Sequence, residues 1–156
     1  MTLKANAVLF QIKKDKAKII GNVLFEETTD GLLIKIKIKG ITPGLHGFHI
    51  HKSGDLRKGC KSCCDHFNPK DKTHGGPNDK ERHYGDLGNV NANSKGIVNT
   101  TIKDHLLKLR GKHSIIGRSV VIHADPDDLG KGNNSESLKT GNSGARIGCG
   151  VIGLIS

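Results

Sequence analysis

The chain has 156 residues, a length that suits one domain with a sizeable core and leaves too little for a second core. Hydrophobic residues make up 34% of it, with no Trp, one Tyr and four Phe, so the core must be built mainly from Ile, Leu and Val. The formal net charge is +10, but the lysines are scattered and aromatic residues are few. This pattern argues against a nucleic-acid-binding surface and favours a solvated basic one.

The hydropathy pattern and the first residues bear on location. No run of about 18 apolar residues occurs, so we expect no membrane-spanning helix. Residues 1–6 lead directly into an alternating pattern and lack the basic and then apolar arrangement of a signal peptide. We therefore expect a cytoplasmic protein that does not enter a membrane.

Alternation of apolar and polar residues predicts a series of short strands. The predicted strands are residues 3–10, 17–27, 32–39, 47–52, 86–91, 96–102, 119–124 and 149–155. The third is the clearest, because Ile34, Ile36 and Ile38 alternate with lysines and so give one buried and one solvent-facing side. Without a convincing helix, these strands indicate an all-β fold, with a closed or sandwiched antiparallel sheet in a single domain over residues 1–156.

Two long loops interrupt the strands. Residues 53–85 are polar and have no periodicity, and residues 125–145 are rich in Gly, Asn and Ser. Loops of this length in a compact domain are usually functional, and potential metal ligands in the first loop point the same way. We expect both loops to lie against the sheet and to carry the functional site.

Seven potential metal ligands lie on the fourth strand, in the first loop and on later strands. They are His49, His51, His66, His74, His83, Asp86 and His123. The alternating motif Gly47-Phe48-His49-Ile50-His51-Lys52 places its two histidines on one strand face, with Cα atoms about 6.5–7 Å apart, so that both rings can reach one ion. Imidazole is the commonest protein ligand for zinc and copper, so the set predicts a metal centre rather than isolated surface histidines.

Six stretches of the chain are distinctive when they are taken in order. They are Gly44-Leu45-His46-Gly47-Phe48-His49-Ile50-His51, His66-Phe67-Asn68-Pro69, His74-Gly75-Gly76-Pro77, His83-Tyr84-Gly85-Asp86-Leu87-Gly88-Asn89, Gly117-Arg118-Ser119-Val120-Val121-Ile122-His123 and Gly141-Asn142-Ser143-Gly144-Ala145-Arg146-Ile147-Gly148-Cys149-Gly150-Val151-Ile152-Gly153. Together they resemble the copper/zinc superoxide dismutases over essentially the whole chain. The resemblance implies an eight-stranded Greek-key β-barrel, an immunoglobulin-like sandwich architecture, usually found as a homodimer.

The resemblance assigns the potential ligands to two metals. It implies that copper is bound by His49, His51, His66 and His123, and zinc by His66, His74, His83 and Asp86. His66 then bridges the metals as an imidazolate, with one ring nitrogen on each. The residue types fit, because three histidines and one aspartate make an acceptable closed tetrahedral set for zinc and imidazole suits copper.

Supporting residues are also implied by the resemblance. Asp127 corresponds to a carboxylate that links the free ring N–H of one histidine in each metal site, and such partners fix the tautomer and orientation of the ring. Cys60 and Cys149 correspond to an intrasubunit disulfide. Cys63 and Cys64 are additional to the family pattern, and we expect both to remain free thiols.

The implied reaction is dismutation of superoxide to O2 and H2O2 by alternate reduction and oxidation of copper. His66 is expected to leave copper and take up a proton in the first half-reaction, while zinc holds its other nitrogen. Arg146 is expected beside copper, where a guanidinium can steer and hydrogen-bond a small anion. Thr140 corresponds to the residue opposite it in the channel, and Lys139 and Glu136 to the charged loop around the entrance.

Assembly is implied less directly, because some positions depart from the family pattern. Residues 116–118 and 151–154 resemble the family's dimer surface, but Ser53 replaces an aromatic residue that often contacts the second subunit. We therefore expect a homodimer weaker than usual. Ser135 replaces one acidic residue of the charged loop. A copper chaperone is a further partner that the resemblance suggests.

Three alternatives remain at this point. Cys60-x-x-Cys63-Cys64-x-His66 resembles part of a zinc knuckle, but no second cysteine pair completes it. A non-catalytic relative, such as a copper-chaperone domain, is disfavoured because His123 and Arg146 are both present. A basic nucleic-acid-binding protein on the same fold would be marked by salt-dependent DNA retention without metal-dependent activity.

Overall fold

The computed structural model describes residues 2–156, and nearly all of the regular structure is β-strand. The elements are β1 (Lys4–Lys13), β2 (Lys16–Thr28), β3 (Gly31–Ile38), β4 (Gly44–His51), β5 (Arg57–Cys60), a 3-10 turn (Lys61–Cys63), β6 (Asp86–Ala92), β7 (Val98–Asp104), β8 (Ser119–His123), α1 (Ser137–Thr140), β9 (Arg146–Val151) and β10 (Gly153–Ile155). No helix within residues 2–156 is long and apolar enough to cross a membrane.

Eight of the strands form one antiparallel sheet that curls into a nearly closed barrel. Their order is β6-β4-β8-β9-β1-β2-β3-β7, and β10 pairs with β1. The two strands at the ends of this order, β6 and β7, are consecutive in the chain and contact each other, so the sheet returns to its own edge. Pairing between strands that are distant in sequence, such as β1 with β9, is consistent with the predicted Greek-key barrel.

Side chains from alternate strand positions fill the barrel. On β3, Ile34 and Ile36 are fully buried while the lysine between them faces solvent, as the alternation predicts. Ile34 lies opposite Phe25 of β2, which is also fully buried. Each such side chain contributes roughly 1.5–3 kcal/mol by leaving water, and a one-residue slip would expose a whole face. The hydrophobic pattern therefore fixes the register of these strands.

Three short elements were not predicted from the sequence. β5 and the 3-10 turn lie inside the polar loop 53–85, and α1 lies inside the loop 125–145. Each has only three or four residues, which is too few to show a periodic pattern. The predicted last strand is interrupted at Ile152, whose N–H donates to Arg118 O at 2.9 Å. The strand therefore divides into β9 and β10.

Hydrogen bonds and a disulfide hold both loops on the barrel. The backbone N–H of Phe67, in the first loop, donates to β4 at 2.8 Å, and β4 in turn donates to the carbonyl of Asp125, in the second loop, at 2.9 Å. The predicted disulfide between Cys60 and Cys149 is present and joins β5 to β9. Its sequence separation of 89 residues corresponds to ~4.6 kcal/mol in the chain-entropy model.

Candidate metal centre

Strands β4 and β8 place three of the predicted ligands side by side. His49 and His51 lie on β4, and His123 ends the neighbouring strand β8. Phe48 and Ile50 point into the core, so the two β4 histidines face the loops, which cover them almost completely. The pairing of β8 with β9 shifts register between Ile122 and His123. Irregularities of this kind change the direction of the side chain that follows, which here is His123.

The first loop and β6 supply the other four ligands. His66 forms an isolated bridge with His51, which fixes it beside β4. His74 and His83 lie farther along the same loop, and Asp86 is the first residue of β6. All of these side chains are buried.

The potential ligand atoms form two groups that share one residue. The four-histidine group is His49, His51, His66 and His123, and the three-histidine–aspartate group is His66, His74, His83 and Asp86. Within each group the ligand atoms all lie within 4.8 Å of one another. The centroid of the His66 ring is 4.1 Å from that of His49 and 5.1 Å from that of His74, so His66 lies between the two groups.

In the four-histidine group, hydrogen bonds to one ring nitrogen leave the other available to a metal. His51 Nδ1 and His123 Nδ1 donate to backbone carbonyl oxygens at 2.8 and 3.1 Å, and their Nε2 atoms face each other at 3.4 Å. His49 Nε2 pairs with Asp127, and its Nδ1 is buried without a hydrogen-bond partner among residues 2–156. A buried nitrogen of this kind is costly unless a ligand satisfies it, so the group fits a bound cation.

Asp86 is the centre of the three-histidine–aspartate group. Its Oδ1 lies 2.9 Å from His66 Nδ1, 2.9 Å from His74 Nδ1 and 3.1 Å from His83 Nδ1. Its Oδ2 accepts hydrogen bonds from the backbone N–H groups of Gly75 and His83 at 3.1 and 2.8 Å, which fix the carboxylate. Three imidazole nitrogens and one carboxylate oxygen are a donor set that suits zinc.

Asp127 connects the two groups. Its Oδ2 accepts from His49 Nε2 and its Oδ1 from His74 Nε2, both at 2.7 Å. The side chain of Asn89 holds the backbone of Asp127 on both sides: Oδ1 accepts the Asp127 N–H at 2.7 Å, and Nδ2 donates to the Asp127 carbonyl at 3.0 Å. A carboxylate held in this way sets the tautomer and orientation of both rings.

Some contributors to the site were not singled out from the sequence. Besides Asn89, these are the carbonyl groups of Cys64 and Gly144, which accept the hydrogen bonds from His51 and His123. Gly141 is another, because its φ is +73° and a Cβ there would collide with Asp127. Every residue has a backbone carbonyl, so residue type does not show which carbonyl will accept a hydrogen bond from a ligand. Only Gly141 carried a sequence signal, because glycine tolerates positive φ.

An open cavity of about 1000 Å³ leads to the histidines. Its lining includes His51, His66, His83, His123 and the predicted channel residues Arg146, Lys139, Thr140 and Glu136. Arg146 Nη1 donates to Cys60 O at 2.9 Å, which ties the guanidinium to the segment that carries the disulfide. Thr140 Oγ1 donates to Glu136 O at 3.2 Å, within the turn that forms α1.

Comparison with known proteins decides the family. A family model described as Copper/zinc superoxide dismutase (SODC) matches residues 19–152. The chain belongs to the copper/zinc superoxide dismutase family. The family predicted from the sequence is therefore confirmed.

Three relatives show how far the similarity extends. Superoxide dismutase (Cu-Zn) 3 of Arabidopsis thaliana is 58% identical over 120 residues, which cover 77% of this chain and 73% of the relative. Superoxide dismutase (Cu-Zn) of Yarrowia lipolytica is 51% identical over 155 residues, 97% of this chain and 98% of the relative. Extracellular superoxide dismutase (Cu-Zn) of Brugia pahangi is 47% identical over 154 residues, 97% of this chain and 77% of the relative.

Burial keeps the four-histidine group of this superoxide dismutase family member neutral. It lowers the pKa of His49 and of His51 well below the usual range, and positive charge on His66 would add to the effect. Burial also lowers the pKa of His123 to about 4. Because a histidine binds metal through its neutral ring, these residues are ready to act as ligands at pH 7.

His74 behaves differently from the other histidines. Burial lowers its pKa, but hydrogen bonds with Asp127 and Asp86 outweigh burial and raise the pKa to about 9. Asp86 shows the complementary shift, because hydrogen bonds with three histidines outweigh burial and lower its pKa. In the metal-free protein, His74 is therefore protonated at pH 7.

Zinc binding to the metal-free protein should consequently release about one proton at pH 7. The proton stays on His74 below a pH of about 9, so zinc affinity should rise roughly tenfold per pH unit up to that value and then level off. Titration calorimetry in buffers of different ionisation enthalpy, at pH 7 and again well above pH 9, counts the protons. Proton release that is absent at pH 7 would contradict this assignment.

Proposed function

We propose that the four-histidine group binds copper, that the three-histidine–aspartate group binds zinc, and that superoxide is dismutated to O2 and H2O2 beside the copper. As a member of its family the protein is an enzyme, with copper and zinc as cofactors. The observation that carries the residue assignment is the position of His66. Its Nδ1 faces Asp86, which leaves Nε2 for the four-histidine group, so one ring can serve both metals.

In the proposed reaction the metals and the side chains have different roles. When bound, copper supplies the one-electron couple that oxidises one superoxide and reduces the next, and zinc offsets the negative charge of Asp86. The chain's own part in proton transfer falls to His66. Nε2 is the atom at which a proton can be taken up between half-reactions, while Nδ1 stays beside Asp86.

Arg146 is the proposed contact for the substrate. Its Nη1 is anchored on Cys60 O, which fixes the orientation of the guanidinium at the cavity wall. A fixed, always charged fork of N–H groups suits a small anion. Lys139 adds positive charge to the same cavity and Glu136 negative charge, and Thr140 is also part of the lining.

Metal analysis paired with a superoxide-consumption assay on purified protein tests this function. We expect about one copper and one zinc per chain, and activity that is lost when copper is removed and regained when copper is restored. Full activity in a copper-free preparation would contradict the proposal. Salt-dependent retention on DNA without metal-dependent activity would instead favour a nucleic-acid-binding protein.

The carboxy-terminal strands support a further proposal, that the chain forms a homodimer. Val151 and Leu154 are exposed by 40% and 57%, an apolar patch that a second copy could cover. Ser53 offers little apolar surface to the same contact, so the dimer should be weaker than one with an aromatic residue at that position.

Light scattering should accordingly give a mass near twice 16.8 kDa at high protein concentration and a lower mass on dilution. Leu154→Lys should move the transition to at least about tenfold higher concentration, because it places a charge in the apolar patch. Ile19→Lys is the matched control, since Ile19 is 59% exposed but lies at the far end of the β1–β2 pair. A mass of 16.8 kDa at every concentration would rule out the dimer.

We also propose a single domain, a cytoplasmic location and delivery of copper by a chaperone. One hydrophobic cluster joins the strands of the barrel, which supports a single domain. The free thiols of Cys63 and Cys64 suit a reducing compartment and support a cytoplasmic location, although one relative is named as extracellular. The copper-binding histidines are buried, which supports delivery by a copper chaperone. Fractionation of cells that express the chain tests the location, and recovery from the medium would contradict it.

A further inference from the structure

Three of the four cysteines pack together. Cys60, Cys63 and Cys149 form one buried cluster with Val121. The disulfide joins Cys60 to Cys149, and Cys63 keeps a free thiol beside it at 0% exposure. We propose that Cys63 is a second disulfide partner for Cys60, so that the chain can exchange its structural bridge without help from another protein.

The local backbone allows Cys60 to reach either partner. Cys60 immediately precedes the 3-10 turn Lys61–Cys63 and has right-handed helical dihedrals, φ −70° and ψ −15°. A 3-10 turn rises about 2.0 Å per residue and eclipses positions three apart, which places the Cα atoms of Cys60 and Cys63 about 6 Å apart. The Cα of Cys149 is 5.7 Å from that of Cys60. Both distances lie in the range that a disulfide spans, about 4.4–6.8 Å.

The exchange is balanced and needs no oxidant or reductant. The Cys63 thiolate attacks the Cys60 sulfur, the Cys60–Cys63 bond forms, and the Cys60–Cys149 bond breaks. Cys149 leaves as a thiolate and takes up the proton that Cys63 has lost. One disulfide and one thiol are present before and after the step.

The native packing keeps this step latent. Cys63 is enclosed in an apolar cluster, and burial raises the pKa of its thiol. The thiolate is the attacking species, so exchange requires a local opening of the turn rather than the closed fold. Cys64 is the neighbouring thiol, but it is exposed and lies outside the cluster. Cys64 is therefore a control, because it is close to Cys60 in sequence but is not packed against the disulfide.

The exchange should disturb Arg146, the proposed contact for the substrate. This residue begins β9, three positions before Cys149, and Nη1 donates to the carbonyl oxygens of Cys60 and Lys61 at 2.9 and 3.5 Å. Release of Cys149 removes the covalent tie between the turn and β9, so the acceptors that orient the guanidinium are no longer held in place. Superoxide consumption should fall while the number of disulfides is unchanged.

The experiment follows the bridge in the metal-loaded full chain, with no added thiol. Wild type, Cys63→Ser and Cys64→Ser are incubated over a series of urea concentrations, quenched in acid, alkylated and mapped by mass spectrometry. In wild type and in Cys64→Ser, alkylation of Cys149 should rise as alkylation of Cys63 falls, at a rate independent of protein concentration. In Cys63→Ser, release of Cys149 should be at least about tenfold slower.

Two results with the Cys63 and Cys64 variants would overturn the proposal. One is release of Cys149 in Cys63→Ser at the rate of Cys64→Ser. The other is the absence of a Cys60–Cys63 peptide from Cys64→Ser at every urea concentration, a result that does not depend on the folding of the Cys63 variant. A new bridge that uses Cys64, or one between chains, would also contradict it.

Discussion

Replacing His123 with alanine should remove most of the copper and most of the superoxide dismutation while zinc remains at about one per chain. The reason is that His123 is a member of the four-histidine group and not of the three-histidine–aspartate group. Loss of one of four ligands should weaken copper binding by at least about a hundredfold, more than the loss of an outer partner. Activity should fall in the same proportion when copper is not in excess.

Metal analysis after dialysis, a superoxide assay and copper titration of the variant measure this result. His105→Ala is the matched control, because His105 is exposed and belongs to neither group. It should keep both metals and the wild-type rate. Equal loss of zinc and copper in His123→Ala would show that the two sites do not divide as proposed.

Reversing the charge at Arg146 should slow the reaction strongly with both metals still bound. Arg146→Glu places a carboxylate in the cavity wall where the anion approaches, and it removes the donor to Cys60 O. Electrostatic focusing in a cleft changes association rates by about 10–10³-fold, so we expect a loss of at least about tenfold in the second-order rate constant. The wild-type rate should fall as ionic strength rises, and that slope should flatten or reverse in the variant.

Pulse-generated superoxide and a salt series measure both effects. Lys37→Glu is the matched control, because it changes the net charge by the same amount on an exposed outer strand position, away from the cavity. It should change the rate little, since charges beyond about 10 Å are largely screened at 0.1 M salt. Ser135→Glu should slow the reaction only modestly. A rate constant that depends neither on salt concentration nor on the charge at position 146 would show that the anion is not guided as proposed.

Much of the barrel was predictable because its causes are local. Alternation on β3 reflects one solvent-facing and one buried side, and the same alternation placed His49 and His51 on one side of β4. The strand boundaries differ by a few residues, as expected where hydrogen bonds rather than side chains decide the ends. The disulfide pairing, by contrast, came only from resemblance to a family, because a single bridge could join any two of the four cysteines and sequence alone does not choose.

The rest of the site depends on contacts between distant segments. Asp127 follows Pro126 and looks like a turn residue until the loop brings it within 2.7 Å of two rings. Asn89 shows no sign of its role, because its two hydrogen bonds cross 38 positions. β5 and α1 are held by the disulfide and by loop packing rather than by their own periodicity. Local patterns carry none of this information.

The shared carboxylate of Asp127 has a thermodynamic consequence for how the two metals are acquired. Because each of its oxygens holds a ring from a different site, ordering one ring lowers the entropy that must be lost when the other is ordered. Occupancy of either site should therefore favour occupancy of the other. Linkage requires this cooperativity to be reciprocal: the factor by which zinc tightens copper must equal the factor by which copper tightens zinc.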